Sequence, residues 1–137
     1  PVKVKMILNS KIAVNLTLHL IGYMISIFAF MLKLDMNFIQ VINLIFVPIC
    51  YSIFITVIGI SLNKKYPNYE WESEMMVVKQ SMPVIVSGLV GIIALITPVL
   101  LNWFLNLSIT PVLQIISVTL LVISSKVYIK VSKLNFI

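Results

Sequence analysis

Charge is what this sequence has least of. Only 10% of its 137 residues are charged, 61% are hydrophobic, and the mean hydropathy is +1.12. A water-soluble chain of this length needs far more polar material to coat its surface, so a soluble globular domain is excluded. Arginine is missing altogether. All ten basic side chains are lysines, and they sit at the ends of apolar runs. The net charge of +6 therefore reads as topology and attraction to anionic headgroups. It does not read as nucleic-acid binding, which favours arginine patches with exposed aromatics. Cysteine occurs once, as Cys50 within an apolar run. An intrachain disulfide is impossible, and the residue reads as a small core hydrophobe. No short apolar stretch with a small-residue cleavage site is visible, and the start at Pro1 in place of Met reads as a piece of a longer polypeptide.

What the sequence does have is four long apolar runs, over 12–32, 38–62, 83–105 and 111–129. At 1.5 Å per residue, about 20 helical residues cross about 30 Å of hydrocarbon. The runs are continuous where barrel strands would alternate. They predict an all-α, membrane-embedded bundle of four transmembrane helices, a single transmembrane domain over 1–137 made of two hairpins joined by a loop. Thr110 and Pro111 read as an N-cap followed by a first-turn proline, and Asn37 with Gln40 resembles a capping box. Pro48 and Pro98 fall inside the second and third runs. Each removes a backbone hydrogen bond, which lipid tolerates only where a neighbour compensates.

Lysine positions give the orientation. Lys3, Lys5 and Lys11 precede the first span, Lys64, Lys65 and Lys79 lie between the second and third, and Lys126, Lys130 and Lys133 close the chain. Only Lys33, beside Asp35, falls on the other side. By the positive-inside rule both ends and the central loop are cytoplasmic, in a multi-pass protein of the cell membrane.

No Asp, Glu or Arg lies within any span. Proton-coupled four-span exporters need a membrane-embedded carboxylate, so energy for any transport would come from elsewhere. His19 is the one titratable group deep in a span, and the expectation is an interhelical contact or a bond with Asn15 one turn earlier. Asn43, Gln114, Thr56, Ser117 and Thr119 read as packing contacts. Ser87 and Gly91, four apart on the third span, make a small-xxx-small face for close helix packing.

The loop from Asn63 to Ser81 holds most of the polar information. Glu70, Glu72 and Glu74 cluster beside Trp71, followed by Met75, Met76, Val77, Val78, Lys79, Gln80 and Ser81. A helix there would align Trp71, Met75, Val78 and Met82 on one side. Two readings stay open: an interfacial segment with Trp and Met at the headgroups, or a cytoplasmic docking element. Neither His nor Cys accompanies the carboxylates, so catalysis and a metal or other cofactor are not expected.

Two segments carry a resemblance. The opening from Pro1 to Ile12 resembles the cytoplasmic stretch that enters a span in type-2 ATP-binding-cassette exporter permeases. The loop with Tyr66, Pro67, Trp71, Glu74 and the Val-Val-Lys-Gln-Ser run over 77–81 is similar to a loop of a large bacterial subfamily of those permeases. The resemblance implies the C-terminal portion of a larger permease subunit. Its partners would be a cytoplasmic ATP-binding subunit, docked through Glu70, Trp71, Glu72, Glu74, Lys79 and Gln80, and the remainder of the permease or a second copy. The chain has no Gly-rich Lys-Ser/Thr loop of its own, so it is expected not to be an enzyme. The alternative is a non-transporting membrane interaction protein, such as an immunity or assembly factor.

Overall fold

The computed structural model describes residues 4–33, 35, 37–66 and 82–133, and these form four helices: α1 (Val4–Lys33), α2 (Phe38–Lys65), α3 (Met82–Leu105) and α4 (Ile109–Lys133). All four are long and apolar enough to cross a membrane, and the chain is an all-helical, multi-pass membrane protein. Every helix except α3 outruns its apolar run by several residues. The extra turns carry lysines, which suit such a position because an apolar stem can lie in hydrocarbon while the ammonium stays at the interface. In α4 the helix continues past Lys126 and Lys130 to Lys133.

Helix ends are fixed by local chemistry. At the start of α2, Gln40 Oε1 accepts the Asn37 backbone N–H at 2.9 Å, one arm of a capping box. The α4 helix begins at Ile109, which places Thr110 and Pro111 inside its first turn and corrects the reading of Thr110 as the cap. Pro111 still sits where a missing N–H has no helical partner to lose. Between α3 and α4, Asn106 adopts φ 48°, a left-handed conformation that asparagine tolerates better than most residues. The side-chain amide of Asn102 closes this turn by donating to the Leu107 carbonyl.

The α2 helix is the hub. It packs against all three others, most extensively against α4, while α1 and α3 flank this central pair. It also supplies most of the core: Cys50, Tyr51, Phe54, Thr56, Val57 and Ile60 are all buried. One cluster joins Leu8, Ile60 and Val131 at the end where α1 begins and α4 ends, hereafter the lysine end. A second joins Tyr51, Phe54 and Leu120 in mid-bundle. Lipid tails are as apolar as leucine, so helix pairing inside a bilayer relies on close packing and polar contacts. Ser117 and Ser124, one heptad apart on α4, are both buried against α2, and each hydroxyl bonds the carbonyl four residues back at 2.7 Å. Small side chains with their polar atoms already satisfied let the two backbones approach. By contrast, no residue of the most apolar stretch of α1 is buried, and Leu18, Ile21, Ile25 and Phe28 point outward.

Candidate functional site

The site is built around the two prolines. A proline inside a helix leaves the carbonyl four residues earlier without its N–H partner. For Pro48 that carbonyl belongs to Leu44, and for Pro98 to Ala94. Each receives a tyrosine hydroxyl from the preceding helix. Tyr23 on α1 donates to the Leu44 carbonyl, and Tyr51 on α2 donates to the Ala94 carbonyl at 3.0 Å. The sequence predicted that a neighbour must compensate, and the compensating group is the same at both places. Pro48 lies ten residues from the start of α2 and Pro98 seven from the end of α3, about 10–15 Å from the short-turn end of the bundle. Both line a crevice of about 350 Å³, together with Tyr51, Val99, Ile109 and Leu113.

A larger groove, about 530 Å³, opens beside it between α2 and α4. Its mouth is polar, with Asp35, Gln40, Asn43 and Thr110, and its deeper wall is apolar, with Leu44, Val47, Pro48 and Leu113. Helical spacing produces this arrangement: Gln40, Asn43, Leu44, Val47 and Pro48 recur at three- and four-residue intervals and share one face of α2. Gln114 Nε2 donates to Asn43 Oδ1 at 2.8 Å, tying α4 to α2 alongside the groove. A further groove of about 460 Å³ lies toward the lysine end between α1, α2 and α4. There the Tyr128 hydroxyl donates to Asn9 Oδ1 at 2.7 Å, and Lys64 Nζ reaches the Val131 carbonyl at 3.5 Å.

The residues singled out from sequence fare differently. Asn43 and Gln114 bond each other. Thr119 is exposed and bonds its own helix at Ile116, and Thr56 is buried with a hydroxyl that has no hydrogen-bond partner. His19 is exposed beside Tyr23 and Ser52 along a narrow crevice, and no hydrogen bond joins it to Asn15, against expectation. His19 lies along the seam between α1 and α2, while Asn15 is exposed and does not line that crevice. On α3, Gly91 lies against Ile55 of α2, whereas Gly88 has open space beside it and Ser87 bonds the Val84 carbonyl of its own helix. Glu70, Trp71, Glu72, Glu74, Lys79 and Gln80 lie outside the described residues. Among the described residues, no group of three or more His, Cys, Asp or Glu side chains is placed to hold a metal ion.

No protein-family model, curated protein or solved structure matches the chain.

The groove and the tyrosine-braced prolines were the part that sequence reasoning missed. The available signal was the register of Tyr23, Tyr51, Pro48 and Pro98, but which hydroxyl meets which carbonyl depends on how the helices pair.

Proposed function

We propose that the chain is a membrane-spanning permease portion of an ATP-driven exporter in a bacterial cell membrane, energised by a separate cytoplasmic ATP-binding subunit. The observation that carries the transport half of this reading is the coincidence, at one depth, of a polar-mouthed groove and two helices that each contain a proline. Helix irregularities near the bilayer midplane often accompany ligand paths in transporters, and here both carbonyls freed by proline are satisfied by tyrosines of neighbouring helices. The partner half rests on the resemblance of the opening segment and of the loop around Trp71 to type-2 ATP-binding-cassette permeases.

Two experiments test it. With both ends and the central loop cytoplasmic, single cysteines introduced at Tyr66 and Asn135 should label only from inside the cell, and one at Ser108 only from outside. Outside labelling at Tyr66 would remove the loop from reach of any cytoplasmic ATPase. Trp71→Ala should then weaken recovery of the ATP-binding subunit in detergent pull-downs by about thirtyfold, equivalent to about 2 kcal/mol for an interface tryptophan, while membrane insertion stays normal. Neutralising Glu70, Glu72 and Glu74 should weaken recovery chiefly at low ionic strength. Unchanged recovery in both variants would turn the loop into a membrane-surface linker and favour the non-transporting interaction protein.

A further inference from the structure

We infer that the groove between α2 and α4 holds an amine-bearing phospholipid of the phosphatidylethanolamine type, drawn from the leaflet at the short-turn end. The inference deepens the transport reading by giving its ligand path a chemical class, but it concerns binding and can be read without transport.

The mouth of the groove has a defined set of free hydrogen-bonding groups. Asp35 stands exposed there, and it makes no ion pair among the described residues. Gln40 has its carbonyl oxygen occupied by the Asn37 N–H, which leaves its amide N–H groups to donate. Asn43 likewise has its oxygen occupied by Gln114, which leaves its own amide N–H groups. The mouth thus offers one anionic acceptor next to a bank of neutral donors. The complement is a protonated amine close to a phosphate: the ammonium meets the carboxylate, and the phosphate oxygens accept from the two amides.

The deeper wall selects for an attached chain. From Gln40 to Pro48 the α2 face descends about 12 Å and becomes apolar through Leu44, Val47 and Pro48, covering most of one leaflet's hydrocarbon depth. A polar solute would leave that wall uncovered. An anionic phospholipid would meet Asp35 with like charge, and a choline headgroup brings a cation that cannot donate a hydrogen bond. The groove's volume of about 530 Å³ falls within the roughly 300–1,000 Å³ of small-ligand sites.

The test is retention of lipid by the intact protein. It is reconstituted in vesicles holding equal amounts of phosphatidylethanolamine, phosphatidylcholine and phosphatidylglycerol with identical chains, then extracted and analysed by native mass spectrometry. The expected result is retention of phosphatidylethanolamine about threefold to fivefold above phosphatidylglycerol, as befits one interfacial ion pair. Asp35→Asn should bring the ratio to near parity, Asp35→Lys should invert it, and Leu44→Trp, which fills the groove, should reduce retention of all three. Equal retention of all three by the wild-type protein would overturn the inference. So would full displacement of the bound lipid by free phosphoethanolamine, which would assign the site to the headgroup alone. Loss of selectivity in Asp35→Asn with ATP-driven transport intact would leave the lipid site standing, separate from transport. Wild-type selectivity in a protein that never transports would overturn only the transport reading.

Discussion

Replacing Tyr51 by phenylalanine is expected to destabilise the bundle by about 1–3 kcal/mol, and the loss should largely disappear when Pro98 is replaced by alanine. Tyr51 is buried, and its hydroxyl donates to the Ala94 carbonyl that Pro98 leaves without a helical partner. Phenylalanine keeps the ring and its packing against Phe54 and Leu120 but leaves that carbonyl without its partner inside the bundle. Stranding a buried polar group costs about 1–3 kcal/mol in proteins generally. Interhelical bonds in membranes average nearer 0.6 kcal/mol, because most of their partners have alternatives. This carbonyl has none from its own helix, so the larger range applies. In Pro98→Ala the backbone N–H at position 98 can take over the carbonyl, and Tyr51→Phe should then cost no more than about 0.6 kcal/mol. Reversible unfolding of the four combinations, by steric trapping or in mixed micelles, gives the coupling directly. Equal losses in the proline and alanine backgrounds would show that the hydroxyl serves something other than the freed carbonyl.

On α3, Gly91→Leu should cost about 1–3 kcal/mol while Gly88→Leu stays within about 0.5 kcal/mol. A Cβ added at Gly91 would sit 3.0 Å from Ile55 Cδ1, and one at Gly88 would meet nothing within 4 Å. The Ile55 terminal methyl can turn aside for a single carbon, so Gly91→Ala should be mild. A leucine needs room for a branched side chain between α2 and α3, which only a shift of one helix can supply. Ile55→Ala should restore most of the stability of Gly91→Leu by returning that volume, and the same unfolding assay reads it. Equal sensitivity at Gly88 and Gly91 would mean that α3 presents a different face to α2.

The contrast between these glycines marks the limit of what the sequence makes legible. Apolar run length identifies all four helices, because only a continuous helix satisfies its own backbone in hydrocarbon. The helix ends are less visible. Hydropathy registers the hydrocarbon interior, whereas helical hydrogen bonding continues into the headgroup zone, and so α1 starts at Val4, well before the apolar run begins at Ile12. The prolines announce a missing hydrogen bond, but the tyrosines that replace it lie on other helices. Asp35 looks like a topology charge beside Lys33 until the folding of α2 against α4 places it at the mouth of a groove. The amides of Gln40 and Asn43 acquire their free donors only once Asn37 and Gln114 have taken their oxygens. Helical identity is a property of each segment alone, whereas the groove belongs to a pair of segments far apart in the chain.

That separation has a consequence for biosynthesis. During synthesis α1 and α2 emerge together and can enter the bilayer as a hairpin, held in part by Tyr23 on the Leu44 carbonyl. The main partner of α2, however, is α4, which leaves the ribosome only after α2 and α3. Until then Phe54 and Ile60, which pack against Leu120 and Val131, have no α4 to cover them, and a nascent chain halted before Ile109 would present them to insertases, chaperones and membrane proteases. Arrival of α4 is therefore the step that completes the packing of α2, and quality control in the membrane has its clearest opportunity in the interval before it.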